Sequence, residues 1–185
     1  MKISVIKEIK DKENRIALTP EGAKKLKEAG HTVLVESNAG LNSGFANEEY
    51  KNAGAEIVDA ETAWSADLVV KVKEPSEQEY KFLKNQIVFT YFHLAGVTKT
   101  LTEALLKNKT TAIAYETVED TYHRLPLLAP MSAVAGNMAV QVGSYYLAKF
   151  NNGKGILIGE VLGHFYGKVV IIGDGVVGRH AAKTA

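Results

Sequence analysis

Short apolar runs of four to six residues alternate with stretches in which apolar positions recur at helical spacing, and this rhythm holds over the first two thirds of the chain. Lys2 to Ile6 reads as a strand. Thr19 and Pro20 then supply a cap residue and a proline at the first helical position, and Gly30 closes that helix as its C-terminal glycine. His31 to Glu36 reads as the next strand, followed by a helix near Asn47 to Asn52, a strand over Ala55 to Val58 and a helix over Ala60 to Trp64. The run from Asp67 to Val72 is strongly β-prone and is stopped by Pro75. Gln86 to Thr90 and Thr110 to Ala114 are two further strands, with a helix over Thr98 to Lys107 between them. Repeated strand and helix units predict an α/β fold, a Rossmann-like parallel sheet with helices on both faces. This first domain is expected to occupy residues 1–130.

From Ser132 the pattern changes. Val134, Ala135, Met138, Ala139 and Val142 lie at helical spacing, which predicts one long linking helix capped by Ser132. Residues 151–167 contain five glycines and read as a loop with a short apolar piece inside it. Lys168 to Ile172 reads as a strand, and the residues after it as a helix. Residues 131–185 are therefore expected to hold the linking helix, a glycine-rich loop and the first βα unit of a second, dinucleotide-binding Rossmann domain.

Composition narrows the function classes. Among 185 residues, 22 are basic and 21 acidic, interspersed along the chain, so the net charge of +1 gives no electrostatic footprint for nucleic acid or an anionic membrane. The absence of cysteine excludes disulfides, thiolate nucleophiles and cysteine metal sites. No apolar run approaches the ~18 residues of a membrane span, and the opening residues lack the apolar core of a signal peptide. The expectation is a cytoplasmic protein. His31, His123, His164 and His180 show no paired ligand spacing, so no metal is expected. Neither a serine-hydrolase elbow nor a P-loop occurs.

The sharpest motif is G-x-G-x-x-G at Gly173, Gly175 and Gly178, placed directly after an apolar strand and at the opening of a helix. The first glycine permits the tight turn, the second lets backbone approach a pyrophosphate, and the third lets helix and strand pack closely. An ordinary glycine-rich turn is the alternative. The acidic residue that holds the adenosine ribose in this fingerprint falls roughly 20 residues further on, beyond Ala185.

In an open parallel sheet, ligands lie beyond the carboxyl ends of the strands. Arg15, Lys73 and His93 fall near such ends. A guanidinium at Arg15 suits a carboxylate bidentately, though a solvated loop arginine fits the same sequence. Lys73 follows Lys71 at period two, which equally describes two lysines on the solvent side of an edge strand. His93 stands inside the apolar stretch FTYFHLAGV, where an imidazole is either an acid/base group or a hydrogen-bonded core residue. Glu74 and Glu116 each follow a strand and are placed either to orient a neighbour or to sit solvated at the rim.

Taken together, KEIKDKENRIALTP, SNAGLNSGF, VKVKEP, FTYFHLAG, AIAYETV, LLAPMSAVAGNMA and GKVVIIGDGVVG, in that order along the whole chain, resemble the alanine dehydrogenase family. The resemblance implies NAD-dependent, reversible oxidative deamination of L-alanine to pyruvate and ammonium by a cytoplasmic homohexamer. It implies that Arg15 and Lys73 hold the substrate carboxylate and carbonyl, with Lys73 also counted among the catalytic residues. It implies that His93 is the catalytic acid/base, that Ser132 contacts the cofactor, and that Gly173, Gly175 and Gly178 form the pyrophosphate turn. The loop over Gly159 to Phe165 departs from the family's usual glycine-rich linker. The family chain is about twice as long, so the sequence reads as an N-terminal portion that is inactive alone. The nucleotide-binding domain of the transhydrogenase alpha subunit shares the early element and the glycine fingerprint and ranks second. A non-catalytic remnant that persists as an association module is the third reading.

Overall fold

The computed structural model describes residues 1–185, which form two compact units, residues 1–117 and residues 118–185.

The first unit is built on six strands, β1 (Lys2–Val5), β2 (Thr32–Glu36), β3 (Glu56–Val58), β4 (Leu68–Lys73), β5 (Ile87–Tyr91) and β6 (Thr111–Ala114). Every ladder is parallel and the spatial order is β3-β2-β1-β4-β5-β6. The chain thus builds outward from β1 in one direction and then returns to build from β4 in the other, the doubly wound order with its switch point between β1 and β4. Consecutive residues of a strand face opposite sides, and at the end of β1 Val5 and Ile6 accordingly enter different core clusters. Val5 packs with Val33, Val35, Ala23 of α1 (Pro20–Glu28) and Tyr50 of α2 (Asn47–Asn52). Ile6 packs with Val69, Val88, Trp64 of α3 (Ala60–Trp64), and Leu101 and Leu105 of α4 (Lys99–Lys107).

Local chemistry sets these helices. Thr19 caps α1 by accepting from the Gly22 amide at 3.2 Å, with Pro20 in the first turn. Asp59 caps α3 in the same way through Thr62 at 2.7 Å. A 3-10 helix over Glu77–Phe82, unanticipated from the sequence, starts where Glu79 reaches back to accept from the Ser76 amide at 2.7 Å.

β4 corrects one expectation. It pairs with β1 on one side and β5 on the other, so it is a central strand rather than an edge, and Lys71 is 1% exposed. A register shift between Val70 and Lys73 breaks the period-two alternation. Lys71 and Lys73 therefore do not share a solvent face.

The second unit comprises α5 (Ala129–Leu147), the two-residue strands β7 (Glu160–Val161) and β8 (His164–Phe165), and α6 (Val176–Thr184). Ser132 does not cap α5: the helix begins at Ala129 with Pro130 in its first turn, and the Ser132 amide already donates to the Leu128 carbonyl at 3.2 Å. The proline at a helix start outranked the serine as a boundary signal. Inside the expected loop, β7 and β8 form an antiparallel hairpin whose two turn residues, Leu162 and Gly163, both have positive φ, 50° and 83°. Lys168 to Ile172 joins no ladder, and Ile172 is 97% exposed. A strand needs a hydrogen-bonded neighbour, and no other segment of the chain supplies one here, so the expected βα unit consists of an extended segment, a turn and a helix. Gly136 lets α5 and α6 approach, since a side chain there would collide with the Val177 carbonyl and His180. No helix is long and apolar enough to cross a membrane.

Candidate active site

The switch point of the sheet opens a crevice at the carboxyl ends of β1 and β4, and charged side chains gather there. Glu8, in the loop after β1, is buried and accepts the Val72 amide at 2.6 Å and the Lys73 amide at 3.4 Å. One carboxylate thus pins the irregular end of β4. Beneath it the Lys71 ammonium lies 3.4 Å from Glu8 and 2.8 Å from Glu79. Burial pushes the Glu8 carboxyl above its ordinary value, against the pull of the Lys71 charge.

Lys73 emerges at the rim, in register with Tyr91 at the end of β5. Arg15 is held by a two-pronged contact with Glu13, Nε to Oε1 at 2.8 Å and Nη2 to Oε2 at 2.6 Å. That hydrogen-bonded guanidinium holds the Glu13 carboxyl below the usual carboxylate range. Glu13 also feels the charge of Lys73, and Arg15 that of Tyr91 and Glu8, so these groups share one electrostatic neighbourhood. Burial raises the Tyr91 phenol, and Arg15 opposes the rise. Tyr115 meets Tyr91 edge-on, ring centroids 4.8 Å apart.

His93 stands two residues beyond Tyr91. The core position in this stretch is taken by Phe92, which is 1% exposed, while His93 is exposed. The reading of His93 as a buried core histidine is therefore incorrect. Its backbone is left-handed, φ 48° and ψ 39°, and its amide donates to Glu116 Oε1 at 2.6 Å. His93, Glu116 and Phe92 line a cavity of about 310 Å³. Glu74, by contrast, pairs with Lys10 at 2.6 Å on the rim.

Arg15, Lys73 and His93 are thus brought to the carboxyl edge of one sheet. Two members of the site were missed. Tyr91 carried a signal in its position two residues before His93, but its pairing with Lys73 depends on inter-strand register. Glu8 gave no signal, because its partners are backbone amides of residues 64 and 65 positions away.

In the second unit the glycines behave differently from one another. Gly173 has φ 101°, closed to side chains, and a Cβ on Gly178 would strike the Gly173 carbonyl. Gly175 stands before α6 with open space where a Cβ would be, and no side chain caps the helix. Ser132 lines the same cavity, about 710 Å³, as Gly173, Gly175 and Gly178. A helix N-terminus without a side-chain cap, with open space at Gly175, fits a phosphate group. No group of three or more histidine, aspartate or glutamate side chains is placed to hold a metal.

Comparison with known proteins adds an independent line. Residues 4–135 match the family model described as alanine dehydrogenase/PNT, N-terminal domain, and residues 139–185 match the corresponding C-terminal domain. The alanine dehydrogenase of Staphylococcus haemolyticus (strain JCSC1435) is 55% identical over 187 residues, covering 100% of this chain and 50% of that protein. Alanine dehydrogenase 2 of Staphylococcus aureus (strain USA300) is 55% identical over 188 residues, with the same coverage. A solved L-alanine dehydrogenase superposes with a TM-score of 0.90 at 51% identity, covering 99% of this chain and 51% of that one. The transhydrogenase from Sinorhizobium meliloti gives 0.77 at 27% identity, covering 100% and 55%. The chain spans about half the length of the curated relatives it matches.

Proposed function

The chain belongs to the alanine dehydrogenase/PNT family, and from that premise we propose that it carries the substrate side of an NAD-dependent L-alanine dehydrogenase, which interconverts L-alanine with pyruvate and ammonium. The observation that carries this reading is the convergence of Arg15, Lys73 and Tyr91 at the switch-point edge of a doubly wound sheet, with His93 just beyond. Pyruvate is a small anion with a carbonyl beside its carboxylate. Arg15, whose Nε and one Nη2 donor are engaged by Glu13, is assigned the carboxylate through the remaining edge of its guanidinium, and Lys73 is assigned the carbonyl oxygen.

Reductive amination needs protons moved as ammonia adds to the carbonyl and as the carbinolamine loses water. His93, exposed and adjacent to the cavity beside β5, is the group assigned to that proton transfer. A cation pair at Arg15 and Lys73 stabilises the oxyanion that forms when the carbonyl is attacked. NAD supplies the hydride chemistry when bound. Gly173, Gly175 and the start of α6 are assigned its pyrophosphate, with Ser132 at the wall of the same cavity. A cytoplasmic homohexamer is the assembly that accompanies this reading. The 27% identity to the transhydrogenase against 55% to alanine dehydrogenases favours the dehydrogenase activity over transhydrogenation.

The test uses the 185-residue chain. Pyruvate titrated into isotope-labelled protein should shift resonances of Arg15, Lys73, Tyr91 and His93, and Arg15→Ala should abolish those shifts. NADH consumption with pyruvate and ammonium, run beside His93→Ala, reads turnover directly. Shifts confined to other surfaces, or turnover unaffected by His93→Ala, would overturn the assignment.

A further inference from the structure

The side chain assigned to proton transfer is held in a conformation that the sequence around it does not favour. A left-handed backbone is uncommon for a residue with a Cβ, although histidine tolerates it better than most. Something must hold it, and two features do so from different sides. From β6, the 3-10 turn over Tyr115–Thr117 delivers Glu116 beside the end of β5, because Thr90 and Ala114 are register partners and the two strands end together. Glu116 Oε1 then accepts the His93 amide at 2.6 Å across 23 residues of chain. From the other side, a Cβ on Gly96 would lie 2.6 Å from His93 Cδ2 and 2.8 Å from Nε2. The imidazole therefore lies over a position that only glycine leaves open. The Gly96 amide closes the turn on the His93 carbonyl at 2.8 Å.

We propose that Glu116 and Gly96 are the positioning residues of His93: the carboxylate and the Gly96 amide fix its backbone from its two ends, and the absence of a side chain at Gly96 leaves room for its ring. The relevance to catalysis rests on the reading of His93 as the acid/base. Glu116 acts through the peptide amide of His93 rather than through its ring, so it orients the imidazole without exchanging the proton that the ring carries. The second Glu116 oxygen, Oε2, is buried with no hydrogen-bond partner.

The experiment is nuclear magnetic resonance on the isotope-labelled 185-residue chain and three variants. A short hydrogen bond to a carboxylate places the His93 amide proton far downfield. Glu116→Ala should remove that downfield shift and move the His93 ring signals, while Glu116→Gln, which keeps an acceptor oxygen, should restore most of both. Gly96→Ala should leave the amide downfield and displace only the ring signals, since it crowds the imidazole and not the amide. A purely structural role for Glu116 would spread changes across β5 and β6 without rescue by glutamine. Unchanged His93 amide and ring signals in Glu116→Ala and Gly96→Ala overturn the proposal. Pyruvate then separates the two readings. If the variants behave as stated but pyruvate moves no His93 signal in the parent chain, the cradle stands and the acid/base assignment falls.

Discussion

Replacing Lys71 by methionine keeps an unbranched side chain one heavy atom shorter and removes the charge that two buried carboxylates share. The ammonium stands 2.8 Å from Glu79 and 3.4 Å from Glu8, and all three side chains are at least nine-tenths buried. At an effective dielectric of about 20, those separations correspond to gross attractions of about 6 and about 5 kcal/mol. Desolvation of the three groups offsets much of this, and removing one partner from such a cluster costs about 3–5 kcal/mol, because the remaining charges stay buried and uncompensated. With a urea slope of about 2 kcal/mol per molar, the unfolding midpoint should fall by about 1.5–2.5 M. Trp64 is the single tryptophan, buried in the first unit, and its fluorescence reports that unit's unfolding. Its ring centroid lies 5.9 Å from the Lys71 ammonium, so the native baseline should change as well. The loss should depend on pH. Burial raises Glu8 above 4.5, so the folded chain keeps that proton to higher pH than the unfolded chain, and stability falls as pH rises through the interval between the two values. Lys71 opposes the rise, and without it the interval extends upward. The variant should therefore lose more stability than the parent as pH rises from 4.5 towards neutrality. A loss below about 1 kcal/mol, or one independent of pH over that range, would refute the account of a charge-compensated core.

Two further outcomes test other parts of the structure. Tyr50, buried against the first core cluster, donates its hydroxyl to the Leu18 carbonyl at 2.8 Å, and burial pushes its ionisation up to about 12 from 10.0. Tyr50→Phe should cost about 1 kcal/mol. It should also remove part of the fall in stability as pH rises from 10 towards 12, where the unfolded chain ionises first, a difference that thermal melts at high pH will measure. Arg15→Lys should weaken pyruvate binding about tenfold or more in calorimetry, because a lone ammonium cannot replace a planar guanidinium that holds Glu13 along one edge and meets the substrate carboxylate with another, although the charge stays. Its melting temperature should fall measurably, since Glu13, whose side chain is only 6% exposed, keeps a cation beside it but loses the second prong of its contact.

The sequence by itself determined the strands and α-helices of the first unit, because those signals are local. Thr19 with Pro20, the β-branched runs and the breaker at Pro75 act within a few residues, and each produced the element expected of it. The glycine fingerprint was legible for the same reason: the positive φ at Gly173 and the crowding at Gly178 arise within six residues of chain. Arg15, Lys73 and His93 were named from strand ends and from the family's motifs, yet their surroundings belong to the tertiary structure. Whether Lys71 is an exposed lysine or a buried one depends on β4 lying between β1 and β5, and on Glu8 and Glu79 arriving from elsewhere to compensate it. Whether histidine or phenylalanine takes the core position after β5 depends on a left-handed residue stabilised by Glu116, 23 positions away. Lys168 to Ile172 has the composition of a strand and joins no ladder within these 185 residues, because pairing is a property of two segments and not of one. Periodicity and capping are written in neighbouring residues, whereas register, burial of charge and strand pairing are settled only when distant parts of the chain meet.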